Sequence, residues 1–328
     1  MPASSAVRSR LRRWRGPLSI ALSLLVAAAL ASLIAGRRHE FATALHSASA
    51  WVLVAVAALQ VVALVSRTEA WNVCVRAAGG TLSRRRLHRA ASMGYLTSLA
   101  NGQVAVAARV AMLRRDAPRE SPCVSALVTA ELPILSVEAI LAAVASFTLV
   151  GPLGLPWWVP LLILSAIAAI VYGLTSLAGR GRRELWKGLA VMRSVNGRWR
   201  VIGLVMIAVL AQIARNYIVL QALGVNASVF DSVAVLIAMV VLSQLPVGPS
   251  VGAAAAVIVL GADGVAAVAA AGVLLTATGT AGSLAYTAWS VADRLWARSP
   301  KPRLALERMR SAVDTAGAMR LAFAAVPV

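Results

Sequence analysis

The sequence predicts an all-α, polytopic integral membrane bundle of about six full spans plus two re-entrant helical elements. Three observations predict it: 60% of the 328 residues are apolar and only 13% charged; the apolar residues fall in long uninterrupted blocks; and Lys and Arg collect between those blocks. A soluble domain carries about 25% charged residues, so this composition excludes the ordinary soluble enzyme. The net charge of +20 is read as topogenic, not as a nucleic-acid footprint, because no aromatic platform lies among the basic residues. Anionic lipid headgroups are its natural contacts.

Full spans are expected at about 17–36, 46–66, 122–150, 157–178, 201–223 and 265–290. The first follows five arginines, but its apolar run is longer than the usual signal-peptide core of about 7–15 residues, so it is read as a retained span. A basic N-terminus (1–16) and a tail (292–328) flank a membrane domain at 17–291.

Two apolar stretches are irregular. The stretch 90–108 contains Ser92, Gly94, Ser98, Asn101, Gly102 and Gln103, and the stretch 232–261 is split by Pro246 to Ser250. If both turn back within the bilayer and the N-terminus is inside, all 32 Lys and Arg lie on the cytoplasmic side except Arg37, Arg38, Arg109 and Arg215. A full crossing by 90–108 would instead send the 114–119 and 180–200 clusters outside, against the positive-inside tendency. The expected location is the plasma (inner) membrane, with both termini cytoplasmic. The halves of the second stretch, 232–245 and 250–261, reach only about 18–21 Å against a hydrocarbon core of about 30 Å. Pro246 and Pro249 lack backbone donors and account for its bend.

Between spans, 179–200 reads as a short basic amphipathic helix with interfacial Trp186 and Trp199. Arg67 to Ala78 continues the second span as helix, ended by Gly79 and Gly80.

Charged side chains inside a bilayer are costly and mark candidate sites. Arg109, Arg215, Glu131, Glu138 and, at a hairpin border, Asp263 qualify. Glu131 and Glu138 are two helical turns apart and share a face; Gln212, Arg215 and Asn216 share another. Two readings stand side by side: internal Arg–Glu pairs that lock the bundle, or a polar cavity in which Arg109 or Arg215 neutralises a phosphate. Pro133, just after Glu131, should kink its helix. Ser250 is an N-cap candidate for a half-helix whose free N–H groups would suit an anion, unless PVGPS is simply a loop. Asn101 and Gln103 either bind a polar headgroup or satisfy broken backbone. Thr276, Thr278, Gly279, Thr280, Gly282 and Ser283 read as helix-packing positions. Neither a phosphate-binding loop nor a nucleophile elbow is found, and Cys74, Cys123, His39, His46 and His88 have no metal-ligand spacing. No enzyme activity, cofactor, metal or nucleic acid is expected.

The string NGQVAVAARVAMLRR, 101–115, resembles the P-G-R-x-G-E-x-x-R-V-x-x-L-R-R signature of the flippase-like transmembrane domain of lysylphosphatidylglycerol synthases. LPVGPSVGAAAA, 245–256, is similar to that family's second signature, and the order of spans fits over roughly 17–291. Gly102, Arg109, Arg114 and Arg115 fall on motif positions, whereas Asn101, Gln103, Ala105 and Val106 stand where the motif has Pro, Arg, Gly and Glu. The resemblance implies re-entrant helices and movement of lipids between leaflets. With no aminoacyl-transfer domain, lipid aminoacylation is not expected. The expected function is translocation of a lipid or lipid-linked headgroup, with membrane lipids, either anionic phospholipid or lipid-linked glycan, as partners. The alternatives are a secondary transporter of a small polar solute, or a non-transporting membrane partner of a cell-envelope glycosyltransferase.

Overall fold

A computed structural model describes residues 48–98, 102–116, 120–180, 184–243, 251–260 and 265–298. The expected first span, Asn101, Pro246 to Ser250, Asp263 and the tail beyond 298 lie outside the described residues.

The described chain is helical throughout, with no strand. In chain order the helices are α1 (Ala50–Ala77), α2 (Arg84–Ser98), α3 (Gly102–Asp116), α4 (Val124–Thr129), α5 (Leu132–Ala145), α6 (Val150–Leu153), α7 (Trp158–Arg180), α8 (Val195–Ala222), α9 (Val229–Ser243), α10 (Val251–Leu260) and α11 (Val265–Arg298). Among the described residues, five helical stretches are long and apolar enough to cross a membrane: Ala50–Ala77, Val124–Leu149, Trp158–Ser176, Val195–Ala222 and Ala266–Trp296. They fall where five of the expected spans were read, and they are compatible with a multi-pass integral membrane protein.

α1 runs on past the apolar block, as expected. It stops where Gly79 takes φ +93°, a conformation that costs a residue with a Cβ, while the N–H of Gly80 closes onto Val75 O at 3.0 Å. The helix at 124–145 is interrupted at Ala130–Glu131, just ahead of Pro133, which has no N–H to continue the ladder.

α1 and α8 pack along their lengths, and α11 crosses α1, α2, α8 and α10. α7 is peripheral: only 6% of its apolar window is buried, as suits a helix surrounded by lipid. Two apolar cores result. One joins Val56, Leu220, Val235, Val259, Val268 and Leu275; the other joins Trp71, Leu87, Leu113, Leu127, Ile134 and Val205. Between them the helix faces turn polar.

The ends differ in chemistry. The start of α2, the end of α3, the residues just ahead of α4 and the end of α11 share one end, tied by Arg86–Glu120 (2.6 Å), Arg89–Asp293 (2.5 Å) and Arg294–Asp116 (3.1 Å). Trp51 and Trp157 are exposed at the opposite end. Because consecutive residues of α11 hold both Arg89 near the start of α2 and Asp116 at the end of α3, those two helices form an antiparallel hairpin whose open ends meet on the basic side.

Within 179–200 the helical run is divided: α7 continues to Arg180, Glu184–Arg193 is a 3-10 helix that keeps Lys187 exposed and inserts Leu189 and Val191 into the interior, and α8 begins at Val195, where Ser194 Oγ caps Gly197 N at 3.1 Å. Gly188 lies so close to the α4 backbone that an added Cβ would stand 2.5 Å from Ala130 N and 2.6 Å from Ala126 O. Arg109 is not at the end of an element spanning 90–108. The helical pair runs 84–98 and 102–116, and Arg109 sits mid-way along α3. α3 extends to Asp116 because Arg114 and Arg115 complement the negative end of its dipole.

Candidate functional site

Three polar clusters stand out among the described residues. In the first, Arg109 is 6% exposed, its Nη2 2.8 Å from Glu131 Oε1 and its Cζ 4.6 Å above the Trp71 ring. The approach to Glu131 is too poorly aligned for a hydrogen bond, so the pair is ionic and not directed; Arg109 Nε and Nη1 and Trp71 Nε1 also have no partner among the described residues. Gly94 on α2 admits Arg109, since a Cβ there would stand 3.2 Å from the arginine's own Cβ. One turn of ion pairing away, Arg67 Nη1 contacts Glu138 Oε1 at 2.5 Å.

In the second cluster, Arg215 is 4% exposed and touches no carboxylate among the described residues. Its Nη1 donates to Gln60 Oε1 and, at 3.0 Å, to Gln212 Oε1; its Nη2 donates to Leu275 O at 2.8 Å. Glycines of α11 make the room. A Cβ on Gly279 would stand 3.5 Å from the guanidinium, and one on Gly282 would stand 2.6 Å from Gln60 Cγ.

The third cluster borders a groove of about 550 Å³ between α1, α2 and α11, lined by Val61, Val65 and Glu69, by Arg84, Arg85 and His88, and by Ala285, Tyr286 and Trp289. Glu69 Oε1 accepts from Arg84 Nε and lies 2.5 Å from His88 Nε2; Oε2 accepts from Asn72 Nδ2 at 3.2 Å. His88 Nδ1 lies 2.5 Å from the Tyr286 hydroxyl, which is 3.4 Å from Thr68 Oγ1. Tyr286 and Trp289 stack at 5.9 Å. Arg84 is exposed, and pairing with the Glu69 carboxylate raises its pKa above the ordinary arginine value.

Of the residues singled out by sequence, the structure brings Arg109 and Glu131 together and pairs Gln212 with Arg215. It separates Asn216, whose Nδ2 reaches Ser232 O at 3.5 Å on the α9 side. Glu138 pairs with Arg67, not with Arg215. Gln103 lies in the first turn of α3; Asn101 and Ser250 lie outside the described residues. None of Arg109, Arg215, Glu131, Glu138, Gln212 or Asn216 lines the groove. Sequence reasoning missed Gln60, Glu69, His88 and Tyr286. Gln60 is the one signal that stood in plain view, a lone amide in LQVVALV.

By fold this is a helical protein with several apolar helices of membrane-spanning length, carrying buried charge and an amphipathic lateral groove. Compared with protein families, curated proteins and solved structures, the chain matches none.

Proposed function

We propose that the chain handles amphiphiles in the plasma (inner) membrane, as a translocase for a lipid or lipid-linked headgroup, with its basic end cytoplasmic. The observation that carries this reading is the groove. Its apolar wall, Val61, Val65 and Ala285, suits an acyl chain, and Arg84 and Arg85 at its mouth suit an anionic headgroup. The α2–α3 hairpin supports it, since each arm of 15 residues reaches about 22 Å, short of a hydrocarbon core of about 30 Å, and both ends return to the basic side. The resemblance of residues 101–115 and 245–256 to flippase-like domains points the same way. In liposomes, transbilayer movement of a fluorescent phospholipid should rise with the amount of protein; a rate equal to that of protein-free liposomes refutes the proposal.

A second reading, transport of a small polar solute, is favoured by the Arg67–Glu138 and Arg109–Glu131 pairs within the bundle. Proton- or sodium-driven solute uptake that Glu138→Gln abolishes, without lipid movement, would establish it instead.

A further inference from the structure

The groove's inner end holds a carboxylate, an imidazole and a phenol in one chain, and the hydrogen-bond roles along it are fixed by chemistry. A carboxylate only accepts, so His88 Nε2 carries the proton shared with Glu69. In the neutral ring Nδ1 must then accept, and the Tyr286 hydroxyl donates to it. If the ring gains a second proton, Nδ1 becomes a donor and the Tyr286 hydroxyl must turn; Thr68 Oγ1, 3.4 Å away and itself donating to Leu64 O at 2.8 Å, is placed to accept it. Both protonation states are therefore accommodated without moving a heavy atom.

The surroundings decide what would bring that proton. From α1, Glu69 and Asn72 face the ring and its partner; from α2, Arg84, Arg85 and Arg89; from α11, Tyr286, Trp289 and Asp293. Arg89 is taken up by Asp293 at 2.5 Å, and Arg85 is 4.0 Å from the same carboxylate. Arg84 alone binds Glu69, and its side chain is 66% exposed at the groove mouth. An anion arriving there competes with Glu69 for Arg84.

We propose that the groove binds an amphiphile whose phosphate headgroup carries a net negative charge, with that phosphate at Arg84 and Arg85 and its chain along Val61 and Val65, and that binding draws one proton from solvent onto His88. This rests on the lipid-handling reading of the same groove and adds its ligand class and its coupling. When Arg84 turns to the phosphate, Glu69 loses its arginine partner, and protonation of His88 supplies another cation. The bookkeeping is one proton bound per phosphate bound, with no covalent step.

The test is calorimetric titration of the full chain in dodecyl maltoside micelles with lysophosphatidylglycerol, an anionic phosphodiester that does not itself titrate near neutral pH, in two buffers of different ionisation enthalpy at neutral pH, with empty micelles subtracted. The observed heat should differ between the buffers by the amount that proton uptake requires, and lysophosphatidylcholine and inorganic phosphate should bind at least about tenfold more weakly. Glu69→Gln should keep binding but abolish the buffer dependence. Arg84→Ala, at an exposed position that does not threaten folding, should weaken binding about tenfold and also abolish it. Tight binding with identical heats in both buffers overturns the coupling and leaves lipid handling standing. No binding of lysophosphatidylglycerol, or equal binding of inorganic phosphate or the choline lipid, overturns the site itself. Protein-dependent lipid movement in liposomes alongside either result separates this failure from failure of the translocase reading.

Discussion

Replacing Glu131 by Gln removes the one carboxylate in contact, among the described residues, with a guanidinium that is 6% exposed and already lacks partners at Nε and Nη1. Breaking a buried pair in this way costs about 3–5 kcal/mol, because the survivor is left as an uncompensated charge. The Trp71 face, 4.6 Å from Arg109 Cζ, offsets about 2 kcal/mol at most and is present before and after the change. At about 2–4 °C per kcal/mol for a large domain, the melting temperature should fall by roughly 6–20 °C. Arg109→Gln removes the cation of the same pair instead. The double variant removes both charges and should cost less than the sum of the singles by about 3 kcal/mol. Thermal unfolding in detergent, followed by tryptophan fluorescence to which Trp71 contributes, measures all three. Additive effects within about 0.5 kcal/mol would refute the assignment of these residues as a mutually dependent pair.

Other outcomes follow from the packing. Gly272→Ala should destabilise by about 1–3 kcal/mol, since the new Cβ would stand 2.5 Å from the Ala253 backbone N on α10, which cannot yield without separating two helices; Gly203→Ala, with open space at its Cβ, should be neutral or stabilising by up to about 1 kcal/mol. Ser194→Ala should cost about 1 kcal/mol through loss of the Gly197 N–H cap, read as earlier melting of α8 in hydrogen exchange.

The five described spans were legible because a 20-residue apolar run has few other uses, and the end of α1 was legible because Gly79 is suited to its left-handed conformation. The break before Pro133 was legible for the same local reason. The groove was not. Glu69 and His88 read as juxtamembrane polar residues because each is adjacent in sequence to arginines, and only the crossing of α1, α2 and α11 turns them toward one another and toward Tyr286, 198 residues beyond His88. Arg67 likewise counted among the charges at the cytoplasmic end of the second span, in its helical continuation, whereas the structure pairs it with Glu138. Gln212, Arg215 and Asn216 share a helix face within the limits of helical spacing, but the neighbours on either side of that face differ, so Asn216 joins α9 while the other two join Gln60.

The 3-10 segment between α7 and α8 has a practical consequence. With Gly188 pressed against Ala126 and Ala130, this connection works as a wedge beneath the turn that presents Glu131, not as slack rope between two spans. Reporter insertions or epitope tags placed at 184–193 should thus disturb the interior as much as a core substitution would. A factor gripping this stretch would have mechanical purchase on the Arg109–Glu131 pair.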